Sequence, residues 1–361
     1  MPTARRTRLA IAALAAALAA ALAALPMTST AQPSAPERAV DSLMAAYAQP
    51  NVPGASVLVV RDGRVVLAKG YGLADSTHRV DAATNFRLAS LSKQFTATVV
   101  MRLVADGRLH YGDPAGALID GLPDFARAVT VRQLLTHTAG LPDYEDFVPD
   151  GQTRQVHDHE IPALIAHGTP FFPPGTRYRY SNTGYVLLAL AAERVTGRRF
   201  ADVLREQIFD PLGMAGTLAF EDGRSVVPHR AYGHTVGAGG VRRTDQSNTS
   251  ATLGDGGIYS SANDLARWID AVFRHTLVSA DAQRLAWTPP TLPDAAPTSY
   301  GFGWFVEHDG AALRVWHNGE SRGFTNGIVL YPDDRLGVVV LTNRTGGTPW
   351  ETAKRIAELY R

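Results

Sequence analysis

Residues 86–96 read Phe-Arg-Leu-Ala-Ser-Leu-Ser-Lys-Gln-Phe-Thr and contain an S-x-x-K pair, Ser90 and Lys93. Apolar residues then recur at helical spacing as far as Val104, and Asp106-Gly107 supplies a stop. Residues three apart on a helix share a face, so the Lys93 amine should lie against the Ser90 hydroxyl. Such a pair is a nucleophile beside a potential base. A serine at a helix start is also an ordinary cap, so other residues of the chain are needed to tell a catalytic serine from a capping one.

The first 31 residues are predicted to be a signal peptide. Arginines at positions 5, 6 and 8 precede an apolar run from Leu9 to Leu25, and Ser-Thr-Ala at 29–31 suits cleavage after Ala31. A retained membrane anchor is the alternative, because this run reaches the lower length limit for a span. We expect an exported protein, periplasmic or secreted, with no stable membrane span once the leader is removed.

The composition is that of a globular protein with one large or two moderate cores: 361 residues, 45% hydrophobic and 19% charged. There is no cysteine, which excludes disulfides and thiolate metal sites. Removal of the leader takes three arginines from 35 basic and 34 acidic residues, which leaves a net charge of −2. A near-neutral chain without a basic run has no electrostatic footprint for nucleic acid, so that partner class is excluded.

Strands are predicted at both ends of the chain. Near the start, Ala55–Arg61 and Arg64–Tyr71 flank Asp62-Gly63, a strong hairpin signal. Near the end, four runs have the spacing of an antiparallel meander: Tyr300–Glu307, Ala311–His317, Thr325–Tyr331 and Leu336–Thr342. Terminal helices are predicted at Glu37–Ala48 and Pro349–Tyr360.

The middle of the chain is predicted to be mostly helical, with helices at Tyr185–Val195 and Phe200–Phe209 among others. Residues 215–257, rich in Gly, Thr and Asn, are predicted to form a long surface segment. The fold class is therefore α+β, with one domain at 32–361. One antiparallel sheet built from both chain ends is flanked by the terminal helices, and a helical subdomain at about 85–290 is inserted between those ends. A cleft at this junction is the expected place for a site.

Two other candidate sites have less support in the sequence than Ser90 and Lys93. Residues 319–323 fit G-x-S-x-G, but Ser321 is followed by a strand rather than a helix, and no histidine lies beyond His317. A metal site is the second rival. Its candidate ligands lie in a polar stretch without a recognisable metal-binding spacing, where solvated surface is the simpler interpretation: His157, His159, Glu160 and His167.

Two further motifs lie far from Ser90 along the chain. Tyr180 and Asn182 are two apart on an extended segment before a helix, so both side chains could project toward one cleft. His317 and Gly319 end a predicted strand, where a glycine permits close approach of another backbone.

Taken together, three motifs in one order resemble the active-site motifs of the serine β-lactamase and penicillin-binding protein superfamily: Ser90-x-x-Lys93, Tyr180-x-Asn182 and His317-x-Gly319. The Y-x-N and H-x-G forms resemble its class C-like branch, which includes D-alanyl-D-alanine carboxypeptidases, D-aminopeptidases and carboxylesterases. Further phrases agree, at residues 134–141, 180–185, 211–214 and 256–265. The resemblance covers about residues 37 to 345.

This resemblance implies an acyl-transfer site that needs no cofactor or metal. Ser90 would be the nucleophile, Lys93 and Tyr180 the base system, and Asn182 would orient Lys93 or the substrate amide. Either Lys93 loses its charge through burial, or it stays charged and holds Tyr180 in a form that accepts a proton. The backbone N–H groups of Ser90 and Glu320 would form the oxyanion hole.

His317 departs from the β-lactamase pattern. The third motif of β-lactamases usually carries lysine as a permanent cation for the antibiotic's carboxylate, whereas a histidine is only partly charged near neutral pH. Arg314 and Arg322 flank this motif and are candidate ligands for a substrate carboxylate. We therefore expect an exported serine hydrolase that acts on a small molecule or peptide: a peptide, a D-amino-acid amide or a carboxylic ester. The alternatives are a β-lactamase and, in another class, a non-catalytic penicillin- or peptidoglycan-binding protein.

Overall fold

The computed structural model describes residues 32–293 and 297–361. The chain divides into two compact units, Met1–Arg38 and Ala39–Arg361. The predicted signal peptide lies outside the described residues. In the described part of the first unit, the Ser34 N–H donates to the Glu37 carboxylate (2.6 Å) and the Glu37 N–H to the Ser34 hydroxyl (3.3 Å). None of the helices within 32–293 and 297–361 is long and apolar enough to cross a membrane.

Six strands form the main sheet, and every neighbouring pair is antiparallel. The strand bounds are β1 Ala55–Arg61, β2 Arg64–Tyr71, β8 Phe305–Asp309, β9 Ala312–Ser321, β10 Phe324–Tyr331 and β11 Leu336–Thr342. Their order in the sheet is β2-β1-β11-β10-β9-β8, so strands from both chain ends meet at the centre and the predicted architecture is confirmed. Five shorter strands complete the set: β3 Phe86–Arg87, β4 Leu218–Ala219, β5 His234–Gly237, β6 Gly240–Arg243 and β7 Ile258–Ser260.

The central strands are buried on both faces, because alternate side chains enter two separate cores. Leu58 and Val339 pack into the core shared with the helical region. Val57 and Val338 pack on the opposite face, against Ile356 of the last helix. This explains why β1, β10 and β11 are almost continuously apolar instead of alternating.

The inserted region is helical, as predicted. The α-helices of the described residues are Ala35–Leu43, Lys93–Ala105, Ala115–Leu118, Asp124–Arg127, Val131–Leu135, Ile161–Ile165, Asn182–Thr196, Phe200–Leu204, Asp210–Leu212, Ala262–Phe273, Ala280–Ala286 and Pro349–Tyr360. Short 3₁₀ turns lie at Ala45–Tyr47, Ala89–Ser92, Tyr144–Phe147 and Asp158–Glu160, and a π turn at Arg205–Phe209.

Two details of the prediction differ from the structure. The strand expected from Tyr300 begins only at Phe305, because the chain bends through Gly303 at φ +79° and packs beneath the Lys93 turn. A Cβ at Gly303 would lie 2.8 Å from the Lys93 carbonyl oxygen. The segment 215–257 is not wholly irregular, since it contributes β4, β5 and β6.

A small sheet of order β3-β7-β4 anchors the chain just before Ser90. In it, Phe86 pairs with Ser260 and Arg87 with Tyr259. The Leu88 N–H then donates to the Ile258 carbonyl (2.8 Å). The residues that lead into the S-x-x-K pair are therefore held by backbone hydrogen bonds.

Candidate active site

Ser90 lies in the 3₁₀ turn Ala89–Ser92, which runs directly into the helix that begins at Lys93. The prediction placed Ser90 on the first turn of the α-helix, whereas the structure places it in the tighter 3₁₀ turn that precedes this helix. Ala89 has φ +53°, a left-handed conformation that costs an alanine on the order of 1 kcal/mol. The hydroxyl of Ser92 accepts from the Ile258 N–H (3.2 Å), which ties the turn to β7. The nucleophile candidate is thus fixed on a strained but anchored turn.

Lys93 is fully buried, and its amine lies 3.0 Å from the Ser90 hydroxyl. It also donates to the Asn182 side-chain oxygen (2.8 Å) and to the Asp255 carbonyl (2.9 Å). Burial lowers the pKa of Lys93 to about 8, although three nearby carboxylates oppose this shift. The Asn182 and Asp255 oxygens can only accept, so a neutral Lys93 must give them its two N–H bonds. Its lone pair is then left for the Ser90 O–H.

Tyr180 lies in an aromatic enclosure beside this pair. Its ring centroid is 4.3 Å from that of His137 and 5.9 Å from that of Tyr300. The Lys93 amine lies 5.0 Å from the Tyr180 ring centroid. Burial raises the pKa of Tyr180 far above its ordinary value, and the hydrogen bond with Ser90 only partly opposes the rise. At neutral pH Tyr180 is therefore an uncharged phenol.

Asn182 is the first residue of its helix, and it is hydrogen-bonded to an acidic segment. Its backbone N–H donates to the Asp143 carboxylate (2.8 Å), a favourable place for a negative charge at a helix start. Its side-chain amide donates to Glu145 (3.3 Å), which leaves the side-chain oxygen for Lys93. Burial, together with the charges of Asp255 and Asp143, raises the pKa of Glu145 to about 7. Asn182 is thereby oriented to hold the Lys93 amine.

His317 is fully buried and both ring nitrogens are engaged. Nδ1 lies 2.5 Å from the Asn318 carbonyl, which can only accept, so Nδ1 carries the proton. Nε2 then accepts from the Tyr300 hydroxyl at 2.9 Å. Burial, together with the charge of Lys93, lowers the pKa of His317 to about 3. His317 is therefore neutral at pH 7, not partly charged, and it positions Tyr300 instead of facing a ligand.

Gly319 allows β9 to approach the Ser90 turn closely. A Cβ at this position would lie 2.2 Å from the Leu88 carbonyl oxygen and 2.9 Å from the Leu91 side chain. Pairing between β8 and β9 ends at Trp316, so β8 does not pair with residues 317–321 of β9. Glu320 belongs to this stretch and lines the same cavity as Ser90.

The cavity has a volume of about 290 Å³ and opens beside the nucleophile candidate. Its lining comes from segments far apart in the sequence and includes Arg87, Ser90, Glu145, Asn182, Asp255, Glu320 and Arg322. The structure thus brings together the S-x-x-K, Y-x-N and H-x-G regions, which lie more than 200 residues apart from first to last.

Arg314 does not reach this cavity. Alternate residues of a strand face opposite sides, and Arg314 shares its side with Trp316 instead of His317. Its guanidinium is already paired with Glu307 at 2.7 Å. Arg314 is therefore not available to bind a substrate carboxylate, and its predicted role is not supported. Arg322 is exposed and lines the cavity, so its predicted role stays a proposal.

The two rival sites do not assemble. Ser321 lies at the end of β9 and leads through a turn into β10, which is strand-turn-strand geometry instead of a nucleophile elbow. Glu160 is bound by Arg154 through both carboxylate oxygens (2.9 and 2.7 Å) and accepts from the His157 N–H. Across 32–293 and 297–361, no three His, Asp or Glu side chains are grouped to hold a metal ion.

The sequence prediction missed several residues of the site, including Arg87, Asp143, Glu145, Asp255 and Tyr300. Asp255 lies in the glycine-rich run 254–257 and its carboxylate accepts from the Tyr144 hydroxyl at 3.0 Å. The only sequence signal was the position of Asp143 and Glu145 directly after the Thr-His-Thr-Ala-Gly-Leu phrase. Their convergence on Lys93 depends on packing between segments far apart in the chain, which local patterns do not encode.

Comparisons with known proteins agree with this geometry. The Beta-lactamase family model matches residues 37–360. Penicillin-binding protein 4* of Bacillus subtilis is 32% identical over 316 residues, covering 82% of this chain and 70% of that protein. D-aminopeptidase of Cereibacter sphaeroides is 32% identical over 320 residues, covering 85% of this chain and 59% of that protein. The crystal structure of a penicillin binding protein from Bacillus halodurans matches with a TM-score of 0.78 at 26% identity, covering 89% of this chain and 98% of that chain.

This chain spans 70% of the length of the first relative and 59% of the second. The match to the family model nevertheless extends over almost all of the chain after the predicted leader. Together with the order of the three motifs around one cavity, this identifies the chain as a member of the Beta-lactamase family.

Proposed function

We propose that this protein is an exported serine hydrolase that forms an acyl-enzyme at Ser90. The observation that carries the proposal is the contact between the Ser90 hydroxyl and a fully buried Lys93 amine at 3.0 Å. Activated nucleophiles of this kind need a base within hydrogen-bond reach whose orientation is fixed by a third group, and Asn182 supplies that group. The serine-hydrolase family relatives support the same reaction class.

Neutral Lys93 is the proposed base. With a pKa of about 8, about a tenth of the lysine is neutral at pH 7, which suffices for a general base. Ser90 Oγ attacks the substrate carbonyl while its proton moves to Lys93 Nζ. The proton then passes by way of the Tyr180 phenol to the leaving group as the C–N or C–O bond breaks. Water repeats these transfers in reverse to release the acyl group.

The backbone N–H groups of Ser90 and Glu320 are the proposed oxyanion donors. Both residues line the cavity, and the β9 edge beyond Trp316 has no β8 partner that would occupy its backbone groups. The start of the helical segment that follows Ser90 favours negative charge at this position. Donors of this kind each contribute about 10²–10³ in rate in hydrolases.

The proposed substrate is an amide, peptide or ester of an amino acid, with the D-configuration suggested by the D-aminopeptidase relative. Glu145 lines the cavity and has the properties of an ammonium ligand, because an incoming cation would offset the repulsion from Asp143 and Asp255 that raises its pKa. A permanent cation at the third motif is missing, since His317 is neutral and enclosed. This feature favours a peptidase or esterase over a β-lactamase.

Covalent labelling tests the proposal. A fluorescent fluorophosphonate and a fluorescent penicillin should each label the wild-type protein, and Ser90→Ala should abolish the signal. Ser321→Ala is the matched control, because Ser321 lines the same cavity and belongs to the G-x-S-x-G pattern. Labelling that persists in Ser90→Ala would refute the proposal. Penicillin labelling without hydrolysis of any ester or peptide would instead favour the non-catalytic binding protein.

A further inference from the structure

Arg87 is a buried cation that nothing in the mechanism above uses. Its side chain is only 3% exposed, and it lines the cavity three residues before Ser90. Its backbone is fixed by pairing with Tyr259 and by the Asn326 amide, which donates to the Arg87 carbonyl at 2.9 Å. The Arg87 backbone is therefore held on a rigid element, three residues before the nucleophile candidate.

No carboxylate of the described residues forms an ion pair with the Arg87 guanidinium, which lies over the Tyr259 ring. Among those residues, its Nε and Nη1 atoms are buried without a hydrogen-bond partner. Arg230 provides an internal comparison, because both guanidinium groups lie over the Tyr259 ring, at 6.0 Å for Arg87 and 5.2 Å for Arg230. Arg230 has Asp245 at 2.6 Å and the Tyr259 hydroxyl at 3.1 Å. One arginine on this ring is thus neutralised and the other is not.

A buried hydrogen-bond donor without a partner destabilises the fold, and a charged donor destabilises it more. Such a donor is therefore expected where a bound ligand supplies the missing partner. The planar fork of arginine suits a carboxylate, which it can bind through two parallel N–H bonds. We propose that Arg87 binds a carboxylate of the substrate that acylates Ser90. Because this inference rests on the proposed function, it assigns Arg87 as a specificity-determining residue of that reaction.

Two matched pairs of thioester substrates test the assignment. In the first pair the leaving group is thioglycolate or its carboxamide; in the second the acyl group is succinyl or succinamoyl. In Arg87→Gln, kcat/KM for the carboxylate member of at least one pair should fall by 10-fold or more, and for the neutral member by less than 2-fold. Arg87→Lys keeps the charge but loses the fork, and it should recover part of the selectivity. Arg355→Gln, an exposed arginine on the last helix, removes the same charge and should change neither ratio.

Equal losses on the charged and neutral members in both pairs would overturn the assignment, as would wild-type ratios in Arg87→Gln. Fluorophosphonate labelling of Ser90 and turnover of the neutral thioesters separate this result from failure of the proposed function. If the wild type is labelled and hydrolyses the neutral members, the hydrolase proposal stands and the test concerns Arg87 alone. If Arg87→Gln does not fold, the ratio in Arg87→Lys decides, because a role in folding alone predicts no change in that ratio.

Discussion

The amine of Lys93 lies 3.0 Å from the hydroxyl of Ser90, and no part of that lysine is exposed to solvent. The two other acceptors of the amine, Asn182 Oδ1 and the Asp255 carbonyl, fix the direction in which a neutral Lys93 presents its lone pair. The contact therefore joins the proposed nucleophile to the proposed base, and burial lowers the pKa of that base.

The pH dependence of acylation should report Lys93. Its pKa is lowered to about 8 and the neutral form is the base, so kcat/KM for an uncharged ester should rise with pH and level off above about 8. The Tyr180 pKa is raised far above its ordinary value, so a phenolate base would keep the rate rising beyond pH 10. Steady-state assays from pH 6 to 10.5 distinguish the two. A rise that continues past pH 10 would contradict the role of Lys93.

Tyr180→Phe should remove proton transfer to the leaving group and leave the packing intact. The ring contacts with His137 and Tyr300 do not involve the hydroxyl, so the melting temperature should stay within about 2–4 °C of wild type. The value of kcat for an amide substrate should fall by about 10²–10⁴. An ester with a good leaving group should lose less, because its departure needs no proton. Equal losses on amide and ester would argue against this role.

Gly319→Ala should separate β9 from the Ser90 turn. A Cβ there would lie 2.2 Å from the backbone oxygen of Leu88, so the strand must shift and the oxyanion donors must lose alignment. We expect a loss of at least about 10² in kcat and a lower melting temperature. Gly112→Ala is the matched control, because a Cβ at Gly112 meets nothing within 4 Å. Wild-type activity in Gly319→Ala would show that the close approach is not required.

His317 should make the fold sensitive to acid. Its pKa is about 3 in the folded protein and near 6.5 when unfolded, so the unfolded state binds the extra proton between these values. Stability must then fall as pH falls through this window, by about 1.4 kcal/mol per pH unit for this group. Urea unfolding at pH 6 and pH 4.5 should show a smaller decrease in His317→Gln than in wild type. His167→Gln, at an exposed position, should keep the wild-type decrease. Identical decreases in wild type and His317→Gln would contradict the buried neutral state.

Much of the fold was predictable because its signals are local. The Asp62-Gly63 hairpin, the helix after Lys93 and the C-terminal meander each follow from alternation, helical spacing or turn residues in one short stretch. The start of β8 was misplaced because the bend at Gly303 serves packing under Lys93, a contact 210 residues away in sequence.

The site was predictable only in part, for the same reason. Ser90, Lys93, Tyr180 and Asn182 belong to recognisable motifs, and the structure brings their elements to one cavity. The neutral state of His317 depends on its burial and on the nearby Lys93, which no sequence pattern links to it. Arg314 and Arg322 looked equivalent as flanking arginines, but strand alternation places Arg314 on the face where Glu307 neutralises it.

Ser90 should become acylated during turnover. Rapid quenching of the protein with p-nitrophenyl acetate, followed by peptide mass spectrometry, measures this directly. We expect an acetyl group on the peptide that contains Ser90, formed in a burst of about one p-nitrophenol per protein, absent in Ser90→Ala and retained in Ser321→Ala. Hydrolysis that continues unchanged in Ser90→Ala, or an acetyl group on Ser321 instead, would contradict this expectation.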